Sequence, residues 1–203
     1  MTKETIGIIA GSIIFLNNIP YIIRVWQKKI EINITGWSLW SVINVAMVLT
    51  YATSSGMSNI WAPMSTVISG FACTIGGMVM KEKWEKLEKI EWISIICCIA
   101  SLILWFIFRN DKILSSYALY LSILADACAS VLTIRFDWKH PFKDRPIPWV
   151  ILGIASAISM FALPDNSLAS YALPIYFTLV AIIISTPLVI VRILLKTPIR
   201  EWI

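Results

Sequence analysis

NNIPYIIRVWQKKIEINITGWSLW, residues 17 to 40 of a 203-residue chain, decides how the molecule is built. It runs from the end of one apolar stretch, through a short basic loop, into the start of a second. Pro20 lacks a backbone N–H and its ring crowds the preceding turn, so it is expected to kink or end a helical turn. In lipid, the carbonyl that a proline frees needs another partner, from a neighbouring helix or a bound solute. Asn17 and Asn18 lie about one turn before it, at membrane depth. Arg24, Lys28 and Lys29 follow, as in a cytoplasmic loop, and Trp26 and Trp37 bracket that loop at the headgroup level that indoles prefer.

The rest of the chain extends this pattern. It is 58% hydrophobic and 14% charged, with a mean hydropathy of +0.78, whereas a soluble domain carries about 25% charge. The composition reads as an all-α integral membrane protein. The net charge of +5 would raise nucleic acid as a partner for a soluble protein. Here the basic residues sit in short loops between apolar runs, without the basic groove interleaved with aromatics that nucleic acid requires. Cys73, Cys97, Cys98 and Cys128 lie inside apolar runs without a CxxC pair, which points to packing residues and away from a disulfide framework or zinc. The start, MTKET, lacks a basic n-region, and the first apolar run continues without a small-residue cleavage site, so no cleavable signal is expected.

A spanning helix needs about 20 mainly apolar residues. Seven stretches qualify: 6–26, 37–55, 60–80, 92–108, 115–135, 149–164 and 171–195. Of the 17 Lys and Arg residues, all but Lys3, Arg109 and Lys112 fall on one side of the resulting alternation. The positive-inside rule then places the N-terminus outside and the C-terminus in the cytoplasm. All the tryptophans except Trp61 and Trp105 fall on the same inner side, as an anchoring belt. The loop Lys81–Glu91 pairs Lys81 with Glu85 and Glu85 with Lys89 at i,i+4 spacing, which reads as a solvated helical extension. His140, the single histidine, cannot build a metal site alone, and no cofactor is expected.

The chain also repeats. Trp26 and Trp37 recur as Trp138 and Trp149, 112 residues on, and Pro63 in WAPMS recurs as Pro174 in ALPIY, 111 residues on. Helices one to three therefore match helices five to seven, with helix four between them. The expected layout is a 3+1+3 parallel repeat within one membrane domain. Residues 1–80 form the first repeat, 81–112 the charged loop and linker helix, and 113–203 the second repeat. A parallel repeat about an axis along the membrane normal is a transporter architecture, with its site between the halves near the midplane.

On the stretches PYIIRVWQKKIEINITGWSLW and LADACASVLTIRFDWKHPFKDRPIPW, the chain resembles the PQ-loop/SWEET-like (transporter-opsin-GPCR) superfamily. Within it, the chain looks closest to uncharacterised bacterial seven-helix membrane proteins with a "PYI…SWxxW" stretch in the first repeat and "LADxxAxxPTxRK…P…W" in the second. The resemblance covers nearly the whole chain and implies a multi-pass protein of a bacterial inner (cell) membrane. It also implies hinge prolines, here Pro20, Pro63, Pro174 and Pro187. Two positions depart from the pattern: the usual Pro-Gln pair is Pro20-Tyr21, and the second-repeat proline is Leu132, before Thr133. The loss of one proline weakens the expectation of symmetric rocking.

Among residues that could carry chemistry, Asp126 stands out as an acid near the centre of helix five. A charge at mid-bilayer costs roughly 2.5–3.5 kcal/mol on insertion scales. It is read either as a proton-coupling or solute-binding carboxylate or as a neutral hydrogen-bonder between helices. Asn44 shares a helical stripe with Trp37, Trp40, Met47 and Tyr51, a face suited to a polar solute with one flat side. Adjacent helical residues point about 100° apart, so at most one of Asn17 and Asn18 is expected to line a cavity. Ser130 lies one turn below Asp126 on its face. The candidate substrate-binding set is Asn17, Asn18, Trp40, Asn44, Tyr51, Asp126 and Ser130. The hydroxyls of Thr74, Ser156, Ser159, Thr178 and Ser185 read first as packing groups, and Gly70, Gly76 and Gly77 as close-contact positions on helix three.

Transport of a small polar solute, facilitative or proton-linked, is the leading expectation, with alternating access between two three-helix bundles. A non-transporting seven-helix receptor or membrane assembly factor is the alternative. A retinal protein would need a lysine midway along helix seven, where the only lysine, Lys196, is terminal. One histidine, and no nucleophile set beside a base, argue against an enzyme. The absence of Arg or Lys at mid-membrane favours a neutral or cationic solute, such as a sugar, a vitamin-like nucleoside or an amino acid. The expected partners are the lipid bilayer and that solute, with further copies of the same chain left open.

Overall fold

The computed structural model describes residues 1–29 and 32–202, with no β-strand among them. Seven α-helices follow one another: α1 (Lys3–Trp26), α2 (Ile34–Ser55), α3 (Trp61–Val79), α4 (Lys89–Phe108), α5 (Lys112–Lys139), α6 (Pro146–Ser159) and α7 (Leu168–Leu194). All except α6 are long and apolar enough to cross a membrane; α6 continues through a 3-10 turn, Met160–Ala162, as a shorter apolar helix. Local chemistry explains the starts. Thr2, Asn33, Asp111 and Ser167 each turn a side-chain oxygen onto a first-turn N–H of α1, α2, α5 and α7, a cap worth about 0.5–2 kcal/mol. Pro146 stands in the first turn of α6, where its missing N–H has no intrahelical partner to lose.

Three of the four helix C-termini at the basic loops share one device. Lys28, Lys81 and Lys196 follow α1, α3 and α7 with φ of 54°, 60° and 50°. In each case the next N–H reaches back to the last turn: Lys29 to Arg24 O, Glu82 to Gly77 O, and Thr197 to Arg192 O. This is the left-handed cap usually given to glycine. Lysine accepts the strained backbone and places its charge by the negative end of the helix dipole.

One expectation for this region fails. Residues 82–88 are not a helical extension. The segment is docked instead: Asn33 Nδ2 donates to Glu85 Oε2 at 2.7 Å, Thr35 Oγ1 donates to Glu85 O, and Glu85 N donates to Thr35 Oγ1. Those bonds to the start of α2 replace the helical ladder, so the i,i+4 charge pairs never form. α4 begins only after Glu88, whose N–H is taken by Glu91.

In the bundle, α3 lies against both α1 and α2, and α7 against both α5 and α6; the backbones of α1 and α2 do not approach closely, nor do those of α5 and α6. The groups are joined mainly by α2 on α5 and α1 on α6, with smaller contacts of α2 on α7 and α3 on α6, while α4 packs on α5 and α2. The largest apolar core, with Met47, Leu119, Leu173 and Phe177, forms where α2, α5 and α7 meet. Isoleucines and Phe106 on α4 face outward, as expected of a surface against lipid. Small residues permit the closest crossings: a Cβ on Gly11 would lie 2.6 Å from the Trp61 backbone, and one on Gly70 2.9 Å from Ser41 Oγ.

Candidate functional site

A cavity of about 140 Å³ opens among α1, α2, α3, α5, α6 and α7, and α4 contributes nothing to it. Its polar groups come from several helices. Asn18 on α1 donates Nδ2 to Ser69 Oγ on α3 at 2.9 Å. Asn44 on α2 donates Nδ2 to Trp40 O one turn earlier, and its Oδ1 accepts Thr66 Oγ1 at 2.7 Å. Asp126 on α5 is 6% exposed. Its Oδ2 accepts the Tyr176 hydroxyl at 2.5 Å and Ser130 Oγ at 3.5 Å.

The end of the cavity toward the basic loops is aromatic. Tyr21 and Trp37 stack at a tilt with centroids 5.5 Å apart, and Trp37 meets Trp40 edge-on at 5.7 Å. Trp149 on α6 donates Nε1 to Asp144 Oδ2 at 2.8 Å, while Arg145 N donates to Asp144 Oδ1. Burial pushes the Asp144 carboxyl above the ordinary carboxylate range, against the opposing pull of those bonds and of Arg192 and Arg145. The loop carrying Asp144 is held by Arg192, only 1% exposed. Its guanidinium donates to the carbonyls of Pro141, Asp144, Leu188 and Glu201.

The opposite end is closed. Tyr51 OH donates to Ser170 O, Asn59 Nδ2 to Tyr51 OH and to Ser159 Oγ, and Ser58 Oγ to Ala162 O. Lys112 and Asp165 form an ion pair at 2.6 Å on the same rim. Lys112, Ser167 and Ser170 hold the Asp165 carboxyl well below the usual range.

The prolines explain part of this wiring. A helical proline frees the carbonyl four residues earlier. For Pro174 that is Ser170 O, taken by Tyr51; for Pro187 it is Ile183 O, taken by Trp138 Nε1 at 3.2 Å. Pro63 occupies the third residue of α3, where no intrahelical N–H bond exists to be lost. α1 continues helically past Pro20 to Trp26, so that proline does not end the helix.

Of the residues expected at a site, Asn18, Trp40, Asn44, Asp126 and Ser130 line one cavity. Asn17 and Tyr51 stand elsewhere. Asn17 Nδ2 ties α1 to Pro148 O at 2.8 Å, and Tyr51, 0% exposed, belongs to the closed end. Sequence reasoning missed Thr66, Tyr176, Asp144 and Arg192. Arg192 lies inside the apolar run 171–195, and that position was the signal that it is no ordinary tail charge. Asp137, near the end of α5, is buried with Oδ2 lacking a hydrogen-bond partner. No group of metal-binding side chains occurs among the described residues. No family model, no curated protein and no solved structure matches this chain.

Proposed function

We propose that the protein is a transporter of the PQ-loop/SWEET-like kind, carrying a small neutral or cationic polar solute across a bacterial inner membrane. The N-terminus stands outside and the C-terminus in the cytoplasm. The carrying observation is the cavity's composition by pairs. Trp37 and Trp149, Trp40 and Leu152, and Asn18 and Ser130 all line it, each pair 112 residues apart, and Ser69 and Val180 line it 111 apart. These are the offsets that relate the two sequence repeats. A cavity walled by equivalent positions sits on the relation between the halves, where a parallel-repeat transporter binds its cargo.

Two further correspondences support the repeat. Trp26 Nε1 donates to Ala72 O at 3.1 Å, and Trp138 Nε1 donates to Ile183 O, displaced by 112 and 111 residues. The tight Ser41–Gly70 crossing recurs as Gly153–Ala181 at the same displacements, with the glycine on the other helix. The helix order agrees as well, since the third helix of each triplet lies between the other two. In this reading one end is shut by the Tyr51–Asn59–Ser170 bonds, and the solute enters from the basic-loop end. Asp126 is the group whose charge changes during the cycle.

Alternating access requires the closed end to open. Met57 and Leu168 stand on its two sides, 64% and 72% exposed. Spin labels at these positions, with the native cysteines replaced, report the gap by pulsed electron resonance in lipid nanodiscs. The expected result is two distance populations whose ratio shifts with a metabolite mixture. A single short distance under every condition contradicts the proposal.

A further inference from the structure

The cavity carries two carboxylates, Asp126 and Asp144, and neither Lys, Arg nor His is among its lining residues. Asp126 has hydroxyl partners only, from Tyr176 and Ser130. Asp144 has an indole and a backbone N–H. Arg145 and Arg192 lie near Asp144, but neither comes within ion-pairing distance of it among the described residues. Their guanidinium bonds go to carbonyls, Arg145 Nη1 to Glu201 O and Arg192 to the same oxygen and those of Pro141, Leu188 and Asp144. Asp126 is a buried carboxylate without a counter-charge and is costly to keep ionised, whereas Arg145 and Arg192 act on Asp144 from outside the lining, so the space beside Asp126 is energetically short of positive charge.

Its walls are also built for a particular kind of cation. Trp37 and Trp40 both line the cavity and form a corner there, their ring planes at 87°. Tyr21 extends that corner, and Trp149 stands on α6 across the cavity. Aromatic faces set around a space attract alkylated ammonium groups through the ring quadrupole.

We infer that the ligand of this cavity is an organic cation, an alkylammonium or a positively charged ring, with its charge held between Asp126, Asp144 and the Tyr21–Trp37–Trp40–Trp149 walls. This narrows the solute class and rests on the transport reading only for what happens after binding. A proton and the cation are then alternative occupants of Asp126, so movement of one against the other follows from a single site.

The test uses the full chain in nanodiscs and isothermal titration with matched probes. Choline and phenyltrimethylammonium carry the charge, while 3,3-dimethylbutan-1-ol is choline's uncharged isostere. Wild-type protein is expected to bind the cations at least about tenfold more tightly than the alcohol, and Asp126→Asn and Asp144→Asn each to weaken cation binding about tenfold or more. Equal affinity for charged and uncharged probes, or no cation binding, overturns the inference. The wild-type comparison needs no variant, so a substitution that fails to fold does not protect it. Flux of the same probes in vesicles separates the two claims. Cation binding without flux overturns transport and leaves the cation site standing; flux of the alcohol with no preference for the cations overturns the cation site alone.

Discussion

Tyr51 has the aromatic body expected of a binding residue, and the hydroxyl has a different task. It takes the Ser170 carbonyl that Pro174 frees and in turn accepts Asn59. Tyr51→Phe leaves that carbonyl without its donor, at a cost of about 1–3 kcal/mol. With Pro174→Ala the backbone N–H returns and serves Ser170, so Tyr51→Phe is expected to cost markedly less in that background. Melting temperatures of the four proteins in detergent give the coupling, and equal losses in both backgrounds contradict it. At this scale the sequence was half legible. Asp126, Asn44 and Trp40 announce themselves as polar or aromatic groups at membrane depth. Tyr51 lies on the same stripe, but the stripe runs past the cavity into the closed end, and periodicity fixes a face without fixing a depth. Asp144 was invisible for the opposite reason. A loop aspartate reads as solvated, and only the Arg192 bonds that fold the loop inward bury it.

The helices themselves were readable to within a few residues, because a long apolar run between charged loops has only one way to satisfy its backbone in lipid. The segment before α4 was not. Its charge spacing suits a helix, yet Thr35 and Asn33 offer Glu85 better-placed partners, and such tertiary bonds have no signature within the segment. The prolines show a similar division. Their positions mark where a ladder bond is missing, but the donors that replace it, Tyr51 and Trp138, come from other helices. Trp138 shows how two roles coincide in one side chain. It is exposed to the surroundings, as a belt residue should be, and its indole N–H serves the carbonyl freed by Pro187. In the other triplet, Gly76 stands where Pro187 does, and a Cβ there would come 2.9 Å from Trp26 Nε1. The small residue leaves room for the equivalent tryptophan.

Across the whole molecule, the proposed orientation is argued from charge. The basic residues other than Lys3, Arg109 and Lys112 lie on one side of the alternation of helices and loops, and the proposed orientation, with that side in the cytoplasm, rests on the positive-inside rule. A C-terminal alkaline phosphatase fusion is expected to be inactive and a C-terminal fluorescent fusion bright; periplasmic phosphatase activity contradicts this topology. The proposed repeat was suggested by three anchors, Trp26 with Trp138, Trp37 with Trp149 and Pro63 with Pro174, because these residue types are few enough in the chain for a shared offset to stand out. The finer pairs, such as Ser41–Gly70 with Gly153–Ala181, could not be read, since small residues substitute for one another freely and only their contact distances identify them.

In the proposed cycle, solute moves through the cavity between the triplets under control of Asp126. Its most direct test is flux in proteoliposomes, using a solute recovered by thermal-shift screening of the purified chain against a metabolite panel. Asp126→Asn keeps size and hydrogen-bonding capacity but cannot ionise. Wild-type protein is expected to accumulate the solute when a pH gradient is imposed. The Asn variant is expected to lose that accumulation while still exchanging labelled for unlabelled solute at saturation, because exchange moves no net proton. Full pH-driven accumulation by the Asn variant, or no flux above protein-free vesicles for either protein, would contradict the account.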